Sequence, residues 1–103
     1  MKLGRKNIEF METMKCGKLA DIEKKEIKVL QCATYVDKFG EKKVVFTIEN
    51  DKKNYYYMPT SLVKFFDEHT IENINTGKDV IKGVFNKVDI GNGRNAWDFT
   101  DVE

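Results

Sequence analysis

Residues 27–36, with the sequence IKVLQCATYV, are rich in β-branched and apolar residues and predict a strand. A polar turn, DKFGE at 37–41, separates them from a second run, KVVFTIE at 43–49. Side chains alternate along a strand, so Val44, Phe46 and Ile48 share one face. After a polar break at 50–54, YYYM at 55–58 is a third short run. Three runs with short polar connections predict an antiparallel meander.

The hydrophobic period changes after Pro59. Thr60 or Ser61 is suited to cap a helix over residues 62–69 that frays near 73–77. The helical spacing i, i+3, i+4, i+7 is carried by Leu62, Phe65, Phe66 and His69. Strand character returns at 78–90, a glycine-rich turn follows at 91–94, and residues 95–102 form the last strand.

This element order, β-β-β-α-β-β, predicts a mainly β fold, a five-stranded OB-like barrel whose helix lies between its third and fourth strands. An SH3-like barrel normally lacks a full helix there, and another small α+β sheet is the alternative left open. We assign the barrel domain to residues 27–103 and an N-terminal extension to residues 1–26.

The extension is partly helical by the same criteria. Asn7 is suited to cap a helix with Ile8, Met11 and Met14 on one side. A further short turn is expected around three residues, Leu19, Ala20 and Ile22. So many apolar residues predict a segment that packs either on the barrel or on another subunit. A homodimer formed through this segment is one hypothesis.

Composition limits the class of function. The chain has 103 residues, a length suited to one domain, and 41% of them are hydrophobic. Lysine and arginine number 18 against 17 acidic residues, for a net charge of +1. This balance excludes a generally basic nucleic-acid coat protein, but a local basic groove remains compatible with it.

The compartment is predicted from the cysteines and the start of the chain. Cys16 and Cys32 follow a first segment, MKLGRKN, that lacks the apolar run of a signal peptide, so we expect reduced thiols and a cytoplasmic protein. The sequence has no uncharged apolar run long enough to span a membrane, and we expect no membrane partner.

The sequence gives little support for catalysis. Its single histidine, His69, stands next to Asp67 and Glu68 in the predicted helix rather than beside a nucleophile. Two cysteines and one histidine are too few and too scattered for a structural zinc site. We therefore expect a protein that is not an enzyme and that needs neither cofactor nor metal.

Aromatic and basic residues are interleaved where an OB-type barrel binds single strands, on two of its strands and on the loops that join strands 1–2 and 4–5. Flat rings stack on bases and nearby cations contact phosphates. The predicted nucleic-acid-binding residues are Lys38, Phe39, Lys42, Lys43, Lys53, Tyr55, Tyr57, Lys87, Arg94 and Trp97.

Each strand aromatic taken alone is more often a packing residue than a base-stacking one, because a small barrel fills its interior with large side chains. Phe39 differs, since it stands in an otherwise polar turn. The lysine pairs at 42–43 and 52–53 are individually ordinary solvated charges. Their joint location beside the aromatics favours the binding hypothesis.

Three segments carry a resemblance to a known family: residues 19–30, LADIEKKEIKVL; residues 39–48, FGEKKVVFTI; and residues 57–65, YMPTSLVKF. Over residues 19–102 the chain resembles the small OB-fold single-stranded-DNA-binding proteins of phages and prophages of Gram-positive bacteria. The resemblance implies non-specific, non-catalytic binding of single-stranded DNA in replication or recombination, with a host or phage replication protein as a further partner.

The chain departs from that family at its end, where Asp98, Asp101 and Glu103 lie in or just after the last predicted strand instead of in a flexible acidic tail. The competing hypothesis is a small phage-type protein-binding module that inhibits or adapts a host enzyme. In that module Phe39, Tyr55, Tyr57 and Trp97 would anchor a protein interface, with Met11 and Met14 as adaptable contacts.

Overall fold

The computed structural model describes residues 9–102, and within this range the fold is mainly β. Six strands are joined by short helices and turns. None of the helices in this range is long and apolar enough to cross a membrane. The elements in chain order are α1 (Glu9–Thr13), β1 (Lys15–Cys16), a 3-10 helix (Leu19–Ile22), β2 (Glu26–Val36), β3 (Lys42–Ile48), β4 (Asp51–Tyr57), α2 (Thr60–Val63), α3 (Glu68–Asn75), β5 (Lys82–Gly91) and β6 (Arg94–Asp101).

The strands form one mixed sheet in the order β1-β4-β3-β2-β5-β6. Strand β1 runs parallel to β4, and all the other neighbours are antiparallel. From β2 onward the chain follows the predicted order, a three-stranded meander, a helical segment and a final hairpin. The final hairpin turns at Asn92 and Gly93, which have φ angles of 54° and 70°, the backbone of a type I′ turn.

The predicted five-stranded OB-like barrel is not formed, because the six-stranded sheet does not close. Closure would require the outer strands of the sheet to pair with each other. Instead β1 occupies the outer edge of β4, where Lys15 and Cys16 lie opposite Asn54 and Tyr55. At the other end of the sheet, β6 pairs only with β5 among the described strands. The two-residue strand β1 has no sequence pattern of its own, and its pairing was not predicted.

The single helix predicted over residues 62–69 is wrong. Two short helices, α2 and α3, take its place, and the segment that ends at Asp67 separates them. Asp67 has an extended backbone and its side chain accepts a hydrogen bond from the Thr70 amide at 2.8 Å, so it caps α3. The polar break predicted at 50–54 is also too long, since β4 begins at Asp51.

The main core lies on the face of the sheet that carries Phe46, Tyr56 and Phe85, all of which are buried. The rings of Phe46 and Phe85 are stacked, with centroids 5.8 Å apart. Helices α2 and α3 and the segment between them cover this face through Val63, Phe66, Ile71 and Ile74. The predicted common face of Val44, Phe46 and Ile48 belongs to this core.

A smaller hydrophobic cluster on the opposite face of the sheet shows where the N-terminal segment packs. Phe10, Met11 and Met14 pack against Val45 and Tyr55, so residues 9–16 lie on the sheet of their own chain. The expected turn at 19–22 is present as the 3-10 helix. The predicted capping residue Asn7 and its neighbour Ile8 lie outside the described residues.

Candidate nucleic-acid interface

Four of the ten predicted binding residues line one cleft with a volume of about 940 Å³. Its walls are the end of β4 on one side and the start of β6 on the other. The predicted residues that it brings together are Lys43, Tyr57, Arg94 and Trp97. Since β4 and β6 are not paired, this cleft occupies the gap at which the sheet stays open.

The first wall is built across β2, β3 and β4. Lys43 lies opposite Tyr35 in the β2–β3 pair, and Tyr57 lies opposite Val45 in the β3–β4 pair. The hydroxyl oxygens of Tyr35 and Tyr57 are 3.1 Å apart and share a hydrogen bond over β3. Tyr35 therefore belongs to the site although the sequence analysis missed it. The only signal that could have identified Tyr35 was its expected position opposite Lys43 in the hairpin.

The second wall comes from the β5–β6 hairpin. Trp97 lies opposite Lys87, whose ammonium nitrogen is 5.4 Å from the centroid of the indole ring. Trp97 is half-buried and packs partly against the main core, which fixes its orientation. Arg94 follows the type I′ turn and is exposed at the rim. This wall thus presents an aromatic ring held between the core and a cation.

The base of the cleft is mixed. Met58, Pro59 and Val63 contribute apolar surface, and Thr60 and Ser61 contribute hydroxyl groups at the start of α2. Among the described residues that line the cleft, none is acidic. Lys43 is nevertheless not a free cation, because its ammonium lies 3.3 Å from Glu41 Oε1 outside the lining. The arrangement suits an anionic ligand with flat apolar rings.

Tyr55 does not reach this cleft. It is 3% exposed, and its ring packs between Phe10, at a centroid distance of 6.1 Å, and Tyr57, at 6.0 Å. Tyr55 and Tyr57 share one face of β4, as the alternation of side chains along a strand requires. Tyr55 nonetheless has no surface for stacking on a base in this structure, because α1 covers that part of the sheet.

The other predicted residues lie outside the lining of the cleft. Lys38 and Phe39 stand at the tip of the β2–β3 hairpin, where Phe39 is 81% exposed. Lys42 faces the helical side of the sheet and donates to the carbonyl oxygen of Phe66. Lys53 is exposed near the start of β4, at the opposite end of that strand from Tyr57.

The groups with shifted pKa values serve structural roles away from the cleft. Burial raises the pKa of the Cys32 thiol to about 12. The Thr70 amide lowers the pKa of Asp67, and the Tyr56 hydroxyl lowers that of Asp51. Within residues 9–102, no three His, Cys, Asp or Glu side chains are grouped so that they could hold a metal ion.

No family model, curated protein or solved structure matches this chain.

Proposed function

We propose that the protein binds single-stranded DNA without sequence preference and without catalysis, in the cleft between β4 and β6. One observation carries the proposal: Tyr57 and Trp97 on opposite walls share a cleft with Lys43 and Arg94, and none of the described lining residues is a carboxylate. Rings on two walls can stack on successive bases, and the cations at the rim can contact the phosphates between them.

The ligand must be a single strand because stacking on Tyr57 or Trp97 requires a base whose faces are not both occupied by its neighbours. In a duplex each base is stacked and paired, and opening it costs a few kcal/mol. Every base has an aromatic face, so binding by stacking tolerates many sequences. The contacts that the cleft offers therefore favour coating over sequence-specific recognition.

The connectivity of the sheet supports the same proposal. We propose that β2 to β6 are an OB-type arrangement left open between β4 and β6. OB-type folds, themselves partly open barrels, bind oligonucleotides on their second and third strands, which here are β3 and β4, and on the loops that here join β2 to β3 and β5 to β6. Taken with the resemblance of residues 19–102, this favours a cytoplasmic helper of phage-type replication or recombination, which covers transient single strands and works beside a host or phage replication protein.

The test is fluorescence anisotropy of a labelled oligo-dT titrated with the protein, at low and at physiological salt, with a duplex as control. We expect micromolar or tighter binding to the single strand, weaker binding to the duplex, and loss of affinity as salt rises. Replacing Trp97 by Ala should weaken binding by about 5- to 150-fold, the equivalent of about 1–3 kcal/mol for one stacked base.

Two variants make this test specific for the cleft. Arg94→Gln removes a cation at the rim, and Lys53→Gln removes one from the far end of β4. We expect only the first to weaken binding and to lower the salt slope by about 0.7. Circular dichroism checks that Trp97→Ala, which also loses core contacts, remains folded. Absence of binding at low salt overturns the proposal, and a pull-down for a protein partner would then address the competing hypothesis.

A further inference from the structure

Two phenylalanines outside the cleft have exposed side chains, and packing in the core does not account for their presence. Phe39 is 81% exposed in the β2–β3 turn, and Phe65 is 63% exposed between α2 and α3. Each has a lysine ammonium over its ring: Lys38 lies 5.2 Å from the centroid of Phe39, and Lys64 lies 5.3 Å from that of Phe65. We name these four residues the loop platform. Such large rings contribute little to stability where water surrounds them.

The two halves of the loop platform are tied together. Lys42, at the end of the β2–β3 turn, donates a hydrogen bond from its ammonium to the carbonyl oxygen of Phe66. Each half is also close in sequence to a residue that lines the cleft: Lys43 follows Phe39 by four residues, and Ser61 precedes Phe65 by four. A chain that leaves the cleft across α2 therefore meets Phe65 within one helical turn.

The loop platform itself has two cations and no carboxylate, so it can attract an anion. The nearby carboxylates are engaged: Asp37 accepts hydrogen bonds from the Phe39 and Glu41 amides, each at 2.9 Å, and Asp67 caps α3. Glu41 pairs with Lys43. Lys38 and Lys64, in contrast, have no carboxylate within ion-pair distance among the described residues.

We propose that the loop platform is a second contact area for the same DNA strand, which runs from the cleft over α2 and stacks bases on Phe65 and Phe39. This inference rests on the proposed function. In each pair the lysine covers one part of the ring and the high exposure leaves the rest open to a base, while Lys38 and Lys64 contact the flanking phosphates. Sequence reasoning included Lys38 and Phe39 but missed Lys64 and Phe65, which it placed in the interior of a helix.

The length of the DNA tests this path, because a short strand fills the cleft alone and a long strand also reaches the loop platform. We would measure the affinity of oligo-dT of about 4 and about 16 nucleotides, the usual limits for one OB-type fold. Phe65→Ala and Phe39→Ala should each weaken binding of the long strand by about fivefold or more and leave the short strand unchanged. Trp97→Ala should weaken both.

Val80→Ala is the matched control, because Val80 is 60% exposed in the loop before β5 and lies outside both contact areas. If Phe39→Ala and Phe65→Ala bind the long strand as the native protein does, the loop platform is overturned and the cleft proposal stands. Equal weakening of both lengths also overturns it, since the effect would then originate in the cleft. If the native protein binds neither length, both proposals fail.

Discussion

The hydroxyl of Tyr56 donates a hydrogen bond to Asp51 Oδ2 at 2.7 Å, which joins the middle of the main core to the start of β4. Tyr56 is 2% exposed, so its hydroxyl needs this partner. The other oxygen of Asp51 accepts from the amides of Lys53 and Asn54 at 2.9 and 3.1 Å. One carboxylate thus holds both the tyrosine and the hairpin that precedes it.

We predict that Tyr56→Phe lowers the free energy of unfolding by about 1–2 kcal/mol at neutral pH. The bond lowers the pKa of Asp51, so its contribution is present above the ordinary Asp pKa of about 3.9 and is lost as pH falls through the lower folded value. Burial, followed by the Asp51 bond, raises the pKa of Tyr56 to about 12. The contribution is therefore also lost as pH rises from about 10 toward that value.

The measurement is urea denaturation of both proteins across this pH range. The stability difference should be largest between about pH 4 and pH 10 and should shrink at either end. Tyr35→Phe is the control, because its hydroxyl bonds to another tyrosine and not to a carboxylate. A difference for Tyr56→Phe that stays constant down to pH 3 would contradict the assignment.

A second prediction concerns Asn75, whose side chain replaces a missing strand. Strand β2 pairs with β5 only from Glu26 to Lys28. Farther along the same edge, Asn75 Oδ1 accepts from the Cys32 amide at 2.8 Å and its Nδ2 donates to the Cys32 carbonyl at 2.9 Å. Asn75→Ala leaves both backbone groups without this partner and should cost about 2 kcal/mol.

Asn73→Ala is the matched control for Asn75→Ala in thermal or urea denaturation. Asn73 is on the same helix, and its side-chain nitrogen lies 3.3 Å from the exposed His69 Nε2, with no bond to β2 among the described residues. We expect its effect to lie within about 0.5 kcal/mol. If both substitutions lower the free energy of unfolding equally, the bonds to Cys32 make no specific contribution to stability.

A third prediction separates the two thiols, both of which are free. Cys16 is exposed on β1, whereas burial raises the pKa of Cys32 to about 12 and shields it. The native protein at pH 8 should therefore react with one equivalent of a thiol reagent, and the second should react only on unfolding. Cys16→Ser should abolish the fast reaction and Cys32→Ser should retain it. Fast reaction of two thiols in the folded protein is incompatible with this packing.

A fourth prediction uses the ion pair between Lys43 and Glu41. Because Glu41 competes with phosphate for the Lys43 ammonium at 3.3 Å, Glu41→Gln should tighten binding of oligo-dT at low salt by a few fold. Glu49→Gln breaks a comparable exposed pair, with Lys28, that does not line the cleft. Both variants lose one negative charge, which should change binding slightly and to the same extent. Beyond that common change, anisotropy should show tighter binding for Glu41→Gln only.

Most of the strands could be predicted from the sequence because their apolar residues alternate or occur in β-branched runs. Two parts of the fold were not predicted: one depends on a contact distant in sequence, and the other on a local helix cap. Strand β1 exists only because Lys15 and Cys16 reach Asn54 and Tyr55, where they occupy the outer edge of β4. The helix after Pro59 is interrupted because Asp67 caps a new one, a signal that was present in the sequence inside the predicted helix.

The candidate site was predictable to a similar degree. Lys43, Tyr57, Arg94 and Trp97 converge because a meander and a hairpin bring their ends together. Tyr55 was predicted as a binding residue, yet the strand pattern alone cannot show that Phe10 and the rest of the N-terminal segment cover it. Phe65 was assigned to a helix interior, and only the break before Asp67 exposes it.

The pairing of β1 with β4 has a consequence for self-association of the protein at high concentration. An uncovered strand edge offers a row of amide and carbonyl groups on which another molecule can add a strand. At β4 this edge is blocked by Lys15 and Cys16, and Gly17 adds a bond to the Tyr55 carbonyl at 2.7 Å. The opposite edge, β6, carries the charges of Asp98 and Asp101 instead. Loss of the β1 pairing should therefore first be seen as aggregation, before any loss of the core.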